Sequence, residues 1–277
     1  MKPKYIIILF TICLLLSGCQ SISSDTKEEV ISTQVTIKDD TAKIDEIQKA
    51  IENYLGEDIQ KIGISYYDLS NNEGFNINGD TQFRSASIAK LFVVMYAYEQ
   101  INKGNANNDT LLYYNYESDY EGGTGVLQYE DLSYPIRLER LLKVAIINSD
   151  NIAYYMLLRY FGTNEIMSYY ENIVQHETFH DYIYMSANDS ILLQKEVYAN
   201  PIFETMREDM KNTEFEDRIA LYLPSHMVAH KIGNFESYVH DVAIIESDHP
   251  YILTIFSNEL DDAYEKIAKI SEIIYNI

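Results

Sequence analysis

Three short runs hold side chains whose types and spacing could do covalent chemistry. In Ser87-Ile88-Ala89-Lys90 a hydroxyl and an amine stand three residues apart. On a helix such residues share a face about 5 Å apart, so the hydroxyl and the amine can meet. A serine in a first helical turn also feels the positive end of the helix dipole, which favours developing negative charge. Ser149-Asp150-Asn151 follows the helical run Arg137 to Asn148 and by itself reads as a helix cap. His230-Lys231-Ile232-Gly233 lies in an apolar strand and by itself reads as an edge lysine followed by a bulge glycine. None of the three is specific alone: Ser24 and Lys27 repeat the first spacing in a polar stretch where catalysis is implausible.

The elements that must position these runs follow from periodicity. Ile44, Ile47, Ile51 and Tyr54 recur at helical spacing. Ile62 to Leu69 reads as a strand, Asn71 to Gly74 as its turn and Phe75 to Ile77 as the return. A helix is expected over Ser87 to Lys103, closed by Gly104. Asn105 to Tyr134 is polar and Tyr-rich around Gly122-Gly123-Thr124-Gly125, and this loop, with Tyr113, Tyr114 and Tyr116, is a candidate rim for the site. Helical patterns dominate from Arg137 to Asn212. Three strands follow at Met227 to Ile232, Val239 to Glu246 and Tyr251 to Ser257, and Asp261 to Ile274 is a last amphipathic helix. Strands at both chain ends with helices between them predict an α+β fold: one antiparallel sheet built from both ends, with a helical lobe (about residues 87–212) inserted. The crevice between lobe and sheet is the natural site.

Composition narrows the function classes. The 277 residues include 43 Asp plus Glu against 21 Lys plus Arg, a formal charge of -22, which excludes nucleic acid as a favoured partner. At the N-terminus Lys2 and Lys4 precede the apolar run Tyr5 to Leu16, too short for a bilayer span of about 20 residues but suited to a signal peptide. The run ends in Leu16-Ser17-Gly18-Cys19, which resembles the lipobox of bacterial lipoproteins. That resemblance implies removal of residues 1–18, lipidation of Cys19 and a place on the outer face of the cell membrane. Residues 19–41, polar and without periodicity, are expected to be a flexible tether, leaving 42–277 as the folded domain.

Together and in order, the three runs resemble the Ser-x-x-Lys, Ser-Asp-Asn and Lys-Thr-Gly motifs of the penicillin-recognising serine enzymes. Phe83 before the first motif, Ile147-Asn148 before the second and His240 to Ile245 after the third agree with it. The resemblance covers roughly Ile44 to Ile277 and is closest to class A β-lactamases and related serine hydrolases. It implies a β-lactamase/transpeptidase-like fold and needs no cofactor or metal. By that resemblance Ser87 is the nucleophile, Lys90 its base, and Ser149 relays the proton to the leaving nitrogen. Lys231, Gly233, Asn234 and Asn151 bind a β-lactam or a peptidoglycan stem peptide, and the N–H groups of Ser87 and Asn234 form the oxyanion hole. Lys90 has to be neutral near pH 7, which burial and the second cation Lys231 would favour.

Two departures qualify this. Ile232 stands where the family has Thr or Ser, removing a hydroxyl that helps hold the substrate carboxylate, an interaction worth about 1.5–3 kcal/mol. The Glu-x-x-Leu-Asn segment whose glutamate activates the deacylating water is missing; the nearest acid, Glu177, is expected to cap or solvate a shortened loop. Slow or atypical deacylation is therefore expected, and the alternative is a non-catalytic or nearly inactive β-lactamase-like lipoprotein that binds cell-wall peptide or a protein partner. His176 and His180, four apart, lack a readable third metal ligand, and Tyr198-Ala199-Asn200 is a coincidental match to the class C form of the second motif.

Overall fold

The computed structural model describes residues 42–178 and 183–277; the leader, Cys19, the tether and His180 lie outside them. Helix α1 (residues 42–55) buries Ile44, Ile47, Ile51 and Leu55, one stripe at three- and four-residue spacing. Strand β1 (Ile62–Asp68) turns back into β2 (Gly74–Ile77). The two-residue β3 (Phe83–Arg84) leads into a 3-10 turn, Ala86–Ala89, which continues as α2 (Lys90–Asn102). The polar segment beyond it holds β4 (Leu111–Leu112), α3 (Tyr116–Asp119) and β5 (Ile136–Arg137). Helices α4 (Leu138–Ile147), α5 (Asn151–Phe161) and α6 (Thr163–Val174) come next, then β6 (Tyr184–Met185), α7 (Ala187–Ala199) and α8 (Glu204–Lys211). The chain ends with β7 (Val228–Phe235), β8 (Tyr238–Ile245), β9 (Tyr251–Asn258) and α9 (Ala263–Asn276).

The main sheet is antiparallel in the order β2-β1-β9-β8-β7, so strands from both chain ends meet between β1 and β9, as expected. Alternation along the strands divides two cores. One face carries Ile62, Ile64, Val239, Ala243, Leu253 and Ile255 toward α1 and α9; the other carries Ala229, Val242, Ile244, Ile252 and Phe256 toward the helices. The helical region is less separate than expected, because α7 packs on β1 and β9 and α8 on β7.

Helix α2 is the structural centre. Leu91 to Met95 and Ala97 are all buried, the pattern of a helix surrounded by others, here α4, α5, α6 and α7. Packing on every side fixes its N-terminal end, where Ser87 and Lys90 lie. Strand β7 runs three residues beyond the expected end at Ile232, in unbroken register with β8 through Gly233↔His240 and Phe235↔Tyr238. Gly233 is therefore not a bulge. A Cβ there would come within 2.9 Å of Ile88 Cγ1 and 3.0 Å of Ser85 O, so glycine lets the strand close on the turn that carries Ser87.

Candidate active site

The three runs meet. Lys90 Nζ lies 2.8 Å from Ser87 Oγ and 2.8 Å from Asn151 Oδ1. Lys231 Nζ donates to Ser149 Oγ at 2.8 Å and to the carbonyl of Ile232 at 3.0 Å. Both lysines and Ser149 are buried. Ser87 and Lys90 line a cleft of about 620 Å³ with Thr124, Asn151 and Asn234, whereas Ser149, Lys231 and Gly233 are buried and do not line it.

Burial lowers the Lys90 amine to about 7, against the opposing charge of Asp150. Lys231 is pushed well below the usual lysine range by burial first, then by Lys90 and by Arg218, with Asp241 opposing. The like-charge effect expected on Lys90 thus falls on Lys231, and burial alone depresses Lys90. A neutral Lys90 accepts the Ser87 proton while still donating to Asn151.

Two positions of strained backbone lie here. Ala86, immediately before the nucleophile, and Ser149 have φ of 47° and 52°, a left-handed region that costs a non-glycine residue of order 1–3 kcal/mol. Ser149 is not the cap of α5; Asp150 is, its Oδ1 accepting from Ala153 N at 2.9 Å and its Oδ2 from Leu127 N at 2.8 Å. With the cap supplied by its neighbour, Ser149 turns its hydroxyl to Lys231.

The oxyanion-hole geometry follows from register. Glu236 and Ser237 form a two-residue hairpin loop, so Phe235 and Tyr238 exchange hydrogen bonds and Asn234, opposite Val239, does not bond to β8. Its N–H points off the free edge of the sheet, beside the cleft it lines. The same alternation turns Ile232 to the face opposite Lys231; it is buried and absent from the cleft lining. The missing hydroxyl therefore leaves no alkyl group projecting into the cleft.

Asn151 departs from its expected role. Its Oδ1 is engaged by Lys90 and its Nδ2 donates to Gly122 O at 2.9 Å, so a substrate amide has to displace that carbonyl. The glycine loop does border the site: Asn151 N also donates to Thr124 O, and Gly125 (φ 120°) leaves no space for a Cβ against Asp150. The tyrosines do not; Tyr114 and Tyr116 line a different cavity, and Tyr113 is exposed.

Sequence reasoning missed Arg218. Fully buried, it donates from Nη1 to Asn234 Oδ1 at 2.6 Å and to His240 O at 2.9 Å, with its guanidinium 4.4 Å from the Tyr264 ring. Asn234 Nδ2 in turn donates to the Tyr264 hydroxyl. No motif marks this arginine; only the tertiary fold brings it beneath β7. His240 was likewise unassigned. Burial lowers it to about 4, and it accepts from Ser257 N at 3.2 Å while its Nε2–H donates to Arg84 O at 2.8 Å, tying β8 to the strand that leads to Ser87.

Leu158, Met167 and Ile183 also line the cleft, beside Ala89 and Tyr154, together with the polar Ser118, Arg159 and Thr163. Glu177 is exposed and outside the cleft, and its neighbour His176 bonds to Asp189 at 2.8 Å. Glu121 lines the far end, where its charge raises Tyr155.

This sheet, with a helix-terminal serine and two buried lysines, defines a class of serine hydrolase. Residues 45–277 match the model of the β-lactamase enzyme family, and the chain belongs to that family. Among solved structures it is similar to PBP-A, at 18% identity and a TM-score of 0.75 over 83% of this chain and 95% of that one. It is also similar to the β-lactamase from Sphaerobacter thermophilus (18%, TM-score 0.73, 83% and 97%) and to the TLA-3 extended-spectrum β-lactamase (18%, TM-score 0.76, 84% and 98%). A variant of PBP-A described as an acyl-enzyme complex with penicillin G aligns with a TM-score of 0.76 over 84% of this chain and 96% of that one, at 18% identity. A search of curated protein sequences finds no match.

Proposed function

We propose that the protein is a cell-surface serine acyl-hydrolase, acylated at Ser87 by β-lactams or peptides ending in D-Ala-D-Ala, that releases the acyl group slowly. The contact between Lys90 Nζ and Ser87 Oγ carries this reading, with the amine brought to about 7. Neutral Lys90 takes the Ser87 proton as Oγ bonds to the substrate carbonyl carbon. The N–H groups of Ser87 and Asn234 hold the resulting oxyanion. As the C–N bond breaks, Ser149 gives its proton to the departing nitrogen and is reprotonated from the lysine pair, leaving an ester on Ser87.

Release requires water attack on that ester, and among the described residues Lys90 is the base in contact with Ser87. Glu121 registers on Tyr155 and not on Lys90, and Leu158, Met167 and Ile183 offer no base. The acyl-enzyme is accordingly long-lived, as in a penicillin-binding protein. The lipobox-like leader supports a tether at Cys19 to the outer face of the membrane, where cell-wall peptide is at hand. A purely binding role fits less well, because burying two lysines is costly unless their depressed basicity is used. Labelling of the full-length protein by a fluorescent penicillin tests the reading: a covalent band is expected, and its persistence in Ser87→Ala would overturn the assignment.

A further inference from the structure

Large apolar side chains are left in water over one part of the molecule. Tyr113, Tyr116, Tyr129 and Tyr134 each expose more than two-thirds of their surface, and Leu111 and Tyr120 expose half or more. All six lie within residues 111–134, and the fold joins them. The pairing of Leu112 with Ile136 brings Tyr113 and Tyr134 to the same end of the β4–β5 ladder. Tyr114, Tyr116 and Tyr120 meet Leu127 and Leu132 around a cavity of about 430 Å³. Tyr129 sits between Gln128 and Glu130, both of which line that cavity.

This surface is separate from the catalytic cleft. Helix α3 stands between the two, with Tyr116 and Tyr120 facing the cavity and Ser118 and Glu121 lining the cleft. Asp119, fully buried, pins the helix from inside by accepting from Arg159 at 2.7 and 2.8 Å. An occupant of the tyrosine surface need not enter the cleft.

A contiguous exposed patch of this kind marks an interaction site. Tyrosine is enriched at the centre of protein interfaces, because its ring gives a large contact area for little lost side-chain freedom. Charge says which partner fits. Tyr113 to Asp131 carries Glu117, Asp119, Glu121, Glu130 and Asp131 and no lysine or arginine. Asp119 is paired with Arg159 and Glu130 with Arg140, while Glu117, next to Tyr116, and Asp131, next to Glu130, stand exposed. A second copy of this acidic chain would be repelled, and a neutral sugar gains nothing from the carboxylates. A guanidinium gains from the carboxylates and from the ring faces together, and its plane stacks on an aromatic ring as an ammonium cannot. Tyr116 and Tyr120, themselves stacked at 5.0 Å between centroids, offer such faces. A small free cation between walls this exposed would remain largely in water, whereas a chain crossing the surface would cover them.

We propose that the tyrosine surface of residues 111–134 docks an arginine-bearing basic segment of a partner protein, with one guanidinium seated in the cavity against Tyr116 and Tyr120. The proposal is independent of the acylation chemistry.

The test titrates full-length protein in detergent, by calorimetry, with a short peptide of alternating arginine and glycine. A peptide with glutamine in place of arginine is the control. The arginine peptide is expected to bind and the glutamine peptide not to bind. Tyr116→Ala with Tyr120→Ala should weaken binding about fivefold. That pair changes no charge, so general attraction to an acidic protein is left as it was. Tyr116→Phe with Tyr120→Phe should bind as the wild type does, because the rings remain. Tyr129→Ala with Tyr134→Ala, outside the cavity walls, should weaken binding about twofold and gives a second reading should the first pair lower the unfolding temperature. Binding unchanged in both alanine pairs would reduce the effect to general charge attraction. Equal affinity for free argininamide would make the cavity a small-ligand site, and tighter binding of an N-acetylglucosamine oligomer would make the surface a glycan platform. Each of these results, or no binding of the arginine peptide, would overturn the proposal.

Discussion

Along the side of the cleft formed by α2, the start of α5 and β7, hydrogen bonds of 2.8 Å join Lys90 to Ser87 and Asn151, and Lys231 to Ser149. Elsewhere the lining includes Leu158, Met167 and Ile183, whose side chains carry only carbon and sulfur, among polar groups such as Arg159 and Thr163. The first side holds strained backbone at Ala86 and Ser149 and two buried amines, features that persist only where surrounding packing enforces them. The contrast separates the two halves of the proposed chemistry: the groups that would form an ester are assembled in advance, while among the described residues the one carboxylate lining the cleft, Glu121, registers on Tyr155 and not on Lys90.

That contrast can be broken at either side. The largest effect is expected for Lys90→Met, which removes the base and should slow penicillin acylation by about 10² to 10⁴, read by stopped labelling. Next is pH. Below about 7 Lys90 is protonated and cannot accept, so the acylation rate should rise about tenfold per pH unit up to about 7 and then level off. A profile flat across that range would remove Lys90 from the role. Third, Ile183→Glu sets a carboxylate in the cleft lining and should hasten loss of the adduct by about tenfold; an unchanged lifetime would mean that the lining there does not limit release. The smallest effect should come from Arg218→Ala. It strands Asn234 Oδ1 and His240 O at a cost of about 1–3 kcal/mol in denaturant unfolding, with a smaller loss in acylation rate.

Local pattern carried much of this. Short apolar runs with short connections marked the strands of the sheet, and the apolar run after Lys90 marked the helix that fixes the nucleophile. The spacing in Ser87-Ile88-Ala89-Lys90 gave the pair that meets at 2.8 Å. Features that depend on distant segments did not show. Arg218 reaches Asn234 only because the chain before β7 folds under the strand, and Asn151 finds Gly122 through a loop 29 residues away. Gly233 looked like an interruption because its neighbour, the turn at Ser85 to Ile88, comes from the other end of the chain. The direction of Ile232 was available from strand alternation once the strand extended past it.

The central claim, a site built to acylate and poorly built to release, is tested most directly by intact mass. Full-length protein in detergent is mixed with a penicillin and sampled over time, with Ser87→Ala in parallel. The account predicts one adduct that forms within the mixing period, is absent from the variant, and outlasts removal of free drug by many times its formation time. A transient adduct with stoichiometric excess of hydrolysed penicillin, or no adduct at any concentration, would contradict it.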